Sequence, residues 1–512
     1  MMMGLAGIPD WQAMRDGFSW DFPADLNMAD QCLAHSADRV AIIEHDGTPR
    51  RYDHGTLTRM TDQLAHELRA DRGDRVGVLR TQSAWTAAAH LAIWKSAAIS
   101  VPLFKLFGPE ALELRLRDAG VRTVVTDPEG RDMLRPFPDL RVIVPEDGLP
   151  EGAAFDTRRT GPDDPAVLIY TSGTTGAPKG ALHGHRMLTG HLPGVCLSHD
   201  LLGQPDDVIW TPADWAWIGG LFDVAMPALA LGVPLVAARA GKFDPGQVAG
   251  LIADCGIRNV FFPPTALKML KASGARIDGL RSVASGGETL GAEMLDWGRE
   301  AFGLTINEFY GQTECNMVAT SASCLFPVRP GAIGRAVPGF DIAVVDQDGN
   351  PVDAEGDIAI RRGAGSMMLE YWNRPDATAQ KFRGDWMLTG DRGVIEDGYV
   401  RFLGRDDDVI TSAGYRIGPS EIEDCLLRHP AVAQVGVVGK PCATRTQIVK
   451  AYVVLRDGQT PSDALASELQ AHAKRLCAAH SYPREIAFMP SLPMTVTGKV
   501  MRRELRKLAE AE

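Results

Sequence analysis

Short apolar runs rich in β-branched residues recur through the first four hundred residues, separated by longer mixed stretches. Runs at 75–79, 121–126, 166–170, 208–211 and 233–237 predict strands. Residues 84–98 predict a buried, Ala-rich helix, and 247–255 a second helix ahead of the apolar run Val260-Phe261-Phe262. Strands alternating with helices predict an α/β fold of helix-covered, mainly parallel sheets. Segments 357–360 and 394–402 predict shorter antiparallel elements near the end of that region. The pattern then changes at Gly404-Arg405-Asp406-Asp407-Asp408, a charged cluster between apolar runs that reads as a linker. Beyond it, strands are predicted at 433–438 and 449–455. A helix follows in which Leu465, Leu469 and Leu476 recur near helical spacing. That is the size of a small α+β domain. The expected division is an N-terminal domain over 1–404, a hinge at 405–407 and a mobile C-terminal domain over 408–512.

Composition narrows the functional classes. At 512 residues the chain exceeds one ordinary domain, and 45% hydrophobic with 23% charged residues is a globular composition. A net charge of −12 makes it a poor general binder of nucleic acid. The eight cysteines show no CxxC spacing, so reduced thiols in a cytoplasmic compartment are expected. The start lacks a basic segment followed by an apolar one, which argues against a secretory signal. The most apolar long stretch, 224–238, is interrupted by Pro227, Gly232 and Pro234, so no membrane span is expected. Monomer and homodimer both remain open.

Chemistry concentrates in Tyr170-Thr171-Ser172-Gly173-Thr174-Thr175-Gly176-Ala177-Pro178-Lys179-Gly180, which follows a predicted strand. Three glycines let the backbone approach a ligand, while four Ser/Thr hydroxyls, free N–H groups and one ammonium suit a polyanion such as a nucleoside triphosphate. It is not a Walker A loop, because Lys179 is followed by Gly180 rather than Ser or Thr. Composition alone also fits a polar surface loop. Further segments follow in order: Ser285-Gly286-Gly287-Glu288-Thr289, Glu308-Phe309-Tyr310-Gly311-Gln312-Thr313-Glu314 and Thr389-Gly390-Asp391. After them come Gly404-Arg405, the stretch from Ala413-Gly414-Tyr415-Arg416 to Glu423, and Leu492-Pro493-Met494-Thr495-Val496-Thr497-Gly498-Lys499. Each alone is a weak signal. Together and in this order they resemble the adenylate-forming superfamily of acyl-CoA synthetases, peptide-synthetase adenylation domains and luciferases.

The resemblance implies an enzyme that activates a carboxylic acid with ATP and Mg²⁺ and passes it to coenzyme A. It implies that Thr171, Ser172, Gly173, Thr174, Thr175, Gly176 and Lys179 hold the β- and γ-phosphates. Thr313 would touch the α-phosphate, and Glu314 would hold Mg²⁺, a hard ion suited to carboxylate and phosphate oxygens. Gly287, Glu288, Thr289 and the run Glu308, Phe309, Tyr310, Gly311, Gln312 would frame adenine. Asp391 and Arg405 would bind ribose. Lys499 would bridge the carboxylate and the α-phosphate where two anions meet. Rotation of the small domain about Asp407 would then bring in Ala413, Gly414, Tyr415 and Arg416 for coenzyme A, with Arg445, Lys474 and Tyr482 as further candidates. Residues 441–447 depart from the family pattern before the predicted strand at 449.

Within the superfamily, Ser412 to Pro419 and Tyr482-Pro483-Arg484 look most like medium-chain acyl-CoA synthetases, with acetyl-CoA synthetases as the next neighbours. Trp217, Ile218, Gly219, Gly286 and Gly311 would line the acid pocket. Three glycines there predict room beyond two carbons, favouring medium-chain or aromatic acids, unless Trp215, Trp217 or Phe262 refills the space. His183 and His185 follow the phosphate loop, and a structural role is expected for His185. Two other readings stay open: adenylation of an amino or aryl acid for a carrier protein, suggested faintly by Phe222-Asp223, and a non-catalytic nucleotide sensor.

Overall fold

The computed structural model describes residues 10–171, 178–238, 243–288, 290–405, 408, 410–412, 415–442, 446–476, 482–495 and 499–511. The predicted strand at 75–79 forms as Arg75–Leu79 and pairs in parallel with Ile99–Pro102 and Thr123–Thr126. These sit in a seven-stranded sheet that also carries Pro165–Tyr170 and Gly180–Gly184. The helix expected over 84–98 is Ala84–Lys95, started by Ser83, whose side chain accepts the Thr86 N–H. It stops because Ala97 turns the chain at φ +54°, which aims Ile99 into a strand, Ile99–Pro102, that the apolar pattern did not predict. Nearly every residue of this helix is buried, in keeping with its lack of a polar face.

A second, 14-stranded sheet packs on the other side of these helices. Its parallel half runs through Val40–His45, Leu235–Ala238, Ile209–Trp210, Asn259–Phe261, Ser282–Gly286 and Asn307–Gln312. The remainder is antiparallel, so the sheets are mixed. The main apolar core lies between the two sheets, with Trp94, Trp215, Phe222 and Phe261 fully buried.

The antiparallel segment expected over 394–402 is the tip of a long hairpin, Trp386–Glu396 with Tyr399–Arg405. Asp397 and Gly398 form its two-residue turn, both at positive φ (+52° and +78°), as a hairpin turn matched to strand twist requires. The elements are therefore longer than predicted, and Gly404-Arg405 belongs to a strand.

A smaller C-terminal domain follows, with a five-stranded sheet built on Val432–Cys442 and Thr446–Leu455 and packed by Pro419–Leu427, Asp463–Leu476 and Arg502–Ala511. In the second of these helices Leu469 and Ala473 carry the buried stripe, while Leu476, the last residue, is exposed. Among the described residues no helix is long and apolar enough to cross a membrane.

Candidate active site

The phosphate-loop candidate spans a hairpin. Tyr170 and Gly180 pair at its base, and the Thr171 N–H donates to the Lys179 carbonyl at 2.9 Å. Ser172, Gly173, Thr174, Thr175 and Gly176 lie outside the described residues. The Lys179 ammonium stands 5.3 Å from the centre of the Tyr371 ring, and the Tyr371 hydroxyl donates to Glu314 Oε1. The cation of the loop and the carboxylate expected to hold Mg²⁺ thus meet on one aromatic ring. Pairing of Tyr371 with Ala181 sets that meeting.

Thr313 and Glu314 are the two-residue turn between Asn307–Gln312 and Cys315–Thr320, because Gln312 pairs with Cys315. Thr313 is partly exposed and Glu314 buried. Glu314 offers the hard oxygen Mg²⁺ prefers. Among the described residues no three His, Cys, Asp or Glu groups form a protein-only cage, so an ion here would complete its shell with phosphate and water oxygens, as Mg²⁺ commonly does.

The residues from Glu308 to Gln312 have different partners. The Tyr310 hydroxyl donates to Asp391 Oδ2 at 2.5 Å. Asp391 pairs across the hairpin with Arg405, whose Nη1 lies 3.5 Å from Oδ1. Burial raises the Asp391 pKa, and Arg405 pulls the other way. Glu308 points elsewhere. It accepts the Leu290 N–H at 3.1 Å, and burial pushes its pKa up to about 8. It thereby anchors the segment holding Gly287 and Glu288; Thr289 lies outside the described residues. Phe309 lies against Gly286 and Phe261.

Lys381 escaped sequence reasoning. Its ammonium donates to Gln312 Oε1 at 2.7 Å and to the Thr389 carbonyl at 3.2 Å, which Gln312 Nε2 also reaches at 3.2 Å. Burial lowers its pKa, while Glu314 and Asp391 favour the charged form. Its only sequence signal was a lysine shortly before Thr389-Gly390-Asp391.

Lys499 reaches this site from the small domain. Its Cε lies 3.9 Å from the place a side chain on Gly287 would occupy, and its N–H donates to Thr495 Oγ1 at 3.0 Å. Much of its surface stays accessible, yet protein crowding around the ammonium lowers its pKa, against the pull of Glu288 and Asp391. Arg502 braces the loop by donating to both Glu423 oxygens at 3.1 and 2.5 Å and to Asp408 at 3.3 Å.

Of the coenzyme A candidates, Ala413, Gly414 and Arg445 lie outside the described residues, as does the hinge residue Asp407. Tyr415 and Arg416 contribute backbone to the strand Tyr415–Ile417, paired with Ile410–Ser412. Tyr482 is half-buried, with Lys474 Nζ 5.5 Å and Arg484 Cζ 4.9 Å from its ring centre.

The glycines assigned to the acid pocket have close neighbours. A side chain on Gly219 would fall 2.6 Å from the Trp217 ring, one on Gly286 would fall 2.6 Å from Phe309 Cδ2, and one on Gly311 would fall 2.6 Å from the Met317 nitrogen. At each of the three glycines a neighbour takes the place of a side chain. Their lack of a side chain lets Trp217, Phe309 and the 316–317 backbone lie flush against the main chain. Trp217 also approaches Gly287, at 3.5 Å from its missing side chain, beside Lys499. Ile218 is buried in the core. His185 accepts the Met28 N–H at 3.2 Å, a structural role, and His183 is buried with its pKa lowered to about 3.

A family model of the AMP-binding enzymes matches residues 28–372, and one of the AMP-binding enzyme C-terminal domain matches 421–499. The chain belongs to the AMP-binding enzyme family. The acetyl-coenzyme A synthetase of Bacillus subtilis (strain 168) is 33% identical over 97% of this chain and 93% of its own length. The mitochondrial acyl-coenzyme A synthetase ACSM2 of Rattus norvegicus is 33% identical over 95% and 92%. The crystal structure of the anthranilate CoA ligase AuaEII with anthranoyl-AMP matches with a TM-score of 0.85 at 27% identity, over 96% of this chain and 98% of that one. This family member is a ligase of the AMP-forming acyl-CoA synthetase class. The acids in those names differ, so likeness alone leaves its acid open.

Proposed function

We propose that the enzyme couples a short carboxylic acid to coenzyme A, using ATP and Mg²⁺ and passing through an acyl-adenylate. One observation carries the reading. Lys499 stands beside Gly287 and Trp217, close to the Asp391–Arg405 pair that the family resemblance links to ribose. An acid with its carboxylate at Lys499 would direct its chain toward Trp217.

In the first step a carboxylate oxygen attacks the α-phosphorus and the bond to pyrophosphate breaks. Lys499 offsets the charge where the two anions approach, and Lys179 with its loop offsets charge on the departing phosphates. Mg²⁺, held by Glu314 and the phosphates, would neutralise further charge. In the second step the thiol sulfur of coenzyme A attacks the acyl carbon, its proton is released, and AMP departs. The division into 1–404, a hinge at 405–407 and a mobile domain over 408–512 suits a lysine used only in the first step.

The placement of Trp217 on Gly219 favours the short-acid alternative over a medium-chain or aromatic substrate. An extra CH₂ yields about 0.8 kcal/mol only where there is room to bury it. The test is CoA-dependent AMP release with acetate through octanoate and benzoate, beside pyrophosphate exchange without CoA. The expected kcat/KM is highest for acids of two to five carbons. A maximum at hexanoate or beyond removes the short-acid part. Exchange without any thioester would favour transfer to a carrier protein, and no exchange at all a nucleotide sensor.

A further inference from the structure

The seven-stranded sheet places Gly180–Gly184 between Pro165–Tyr170 on one side and the short edge strand Glu370–Tyr371 on the other. Gly180 directly follows Lys179, so these two flanking strands bound the point where the phosphate-loop candidate re-enters the sheet. Tyr170 pairs with Gly180 from one flank. From the other, the Trp372 backbone N–H donates to the Gly180 carbonyl at 2.8 Å.

Both flanks are held by one residue outside every motif, Asp118, at the C-terminal end of the helix Pro109–Ala119. Its Oδ2 accepts the Tyr170 hydroxyl at 2.7 Å, and its Oδ1 accepts Arg374 Nη2 at 3.1 Å. Its backbone carbonyl accepts the Trp372 indole N–H at 3.0 Å. The clasp therefore reaches the residue before Thr171 and the residue after Tyr371. Tyr371 in turn donates to Glu314 and lies against the Lys179 ammonium. Hydrogen bonds to an ionised acceptor are roughly twice as strong as those between neutral groups. A sideways shift of Lys179-Gly180 would have to carry Tyr170 or Trp372 with it and break a bond to Asp118. The backbone ladders already hold each flank to Gly180–Gly184, so the clasp restrains placement rather than supplying the pairing.

We propose that Asp118 is a positioning residue for adenylate formation. From outside the site it holds the strands on either side of Lys179-Gly180 at the spacing that aims the lysine at the β- and γ-phosphates. The inference rests on the reading of Lys179 and its loop as the phosphate site. AMP lacks those two phosphates. The clasp should therefore matter for a triphosphate and not for AMP, and for acyl-adenylate formation and not for thioester formation from preformed acyl-AMP.

The test measures binding of α,β-methylene-ATP with Mg²⁺, and of AMP, by calorimetry on the full chain without acid, beside the two half-reactions. Asp118→Ala should raise the ratio of the triphosphate Kd to the AMP Kd about tenfold or more, the scale of a lost hydrogen bond to a charged group. It should also raise KM for ATP in pyrophosphate exchange, with kcat changed much less. Asp118→Asn, which keeps an accepting oxygen, should recover part of the loss. Tyr170→Phe removes only the hydroxyl; it should move the ratio in the same direction, and it serves where Asp118→Ala does not fold. Proportional loss for both nucleotides and both half-reactions would reduce Asp118 to a folding role and overturn the inference. A ratio unchanged in Asp118→Ala and Tyr170→Phe but raised in Lys179→Ala overturns it while leaving the phosphate reading intact. A ratio unchanged in all three variants removes both.

Discussion

Single residues here act chiefly by fixing distances between strands. Lys381 ties Gln312 to the Thr389 carbonyl, joining the strand that bears Tyr310 to the one that bears Asp391. Lys381→Met leaves Gln312 Oε1 unmet and the Thr389 carbonyl with Gln312 Nε2 alone, and hydrogen bonds from a charged donor are worth about 1.5–3 kcal/mol. We expect KM for ATP in pyrophosphate exchange to rise roughly ten- to hundredfold on that basis, with kcat changed much less and Lys381→Arg recovering most of the loss. Equal loss in both constants without rescue by arginine would reduce Lys381 to a folding role. Glu308 gives a pH prediction. Its pKa rises from 4.5 to about 8 on burial, so the folded state favours the neutral acid. That stabilisation is complete below about pH 4.5 and is lost as pH rises through about 8. Glu308→Gln keeps an acceptor for the Leu290 N–H without the proton. The Tm of wild type should therefore fall relative to the variant between pH 5 and 8.5, and parallel curves would contradict the assignment. Motif residues such as Asp391, Arg405 and Lys499 were legible as residue types in order along the chain. Lys381 was not, because its partners become neighbours only through antiparallel pairing.

At the scale of elements, apolar runs located the parallel strands because burial on both faces leaves a continuous hydrophobic signal. Hydropathy could not separate the helix Ala84–Lys95 from the strand Ile99–Pro102, since both are buried and only the turn at Ala97 divides them. The hairpin Trp386–Glu396 with Tyr399–Arg405 alternates buried and half-buried positions, and its Asp397-Gly398 turn was the better marker. The glycines show a related limit. Sequence shows that a side chain is missing and not what has moved against the backbone. Trp217→Ala should reopen the volume over Gly219 and raise kcat/KM for hexanoate relative to acetate. An unchanged ratio would mean that Trp217 does not bound the acid. Gly311→Ala acts differently, because the new carbon meets the backbone nitrogen of Met317. It should destabilise the hairpin by about 1–3 kcal/mol, as overpacking does, without lengthening or shortening the preferred acid. Thermal unfolding beside the acid panel separates the two effects.

At the scale of the molecule, Lys499 stands beside Gly287 of the larger domain while Arg502, three residues on, holds both Glu423 and Asp408. The loop that carries the ammonium is thereby tied to Asp408, next to the hinge proposed at 405–407. If the small domain rotates between half-reactions, two substitutions should give mirror-image defects. Lys499→Ala should lower acyl-adenylate formation about 10²–10³-fold, the usual cost of one preorganised electrostatic contact, and spare thioester formation from preformed acyl-AMP. Gly414→Leu should block the approach of the thiol and spare pyrophosphate exchange. Each half-reaction is measured separately on each variant. Arg502→Ala provides the control for rigid coupling. With its ties to Glu423 and Asp408 gone, the lysine loop is less well aimed, and the first step should slow more than the second. Equal slowing of both steps in all three variants would mean that the small domain holds one orientation throughout, and that Lys499 serves both steps from where it now stands.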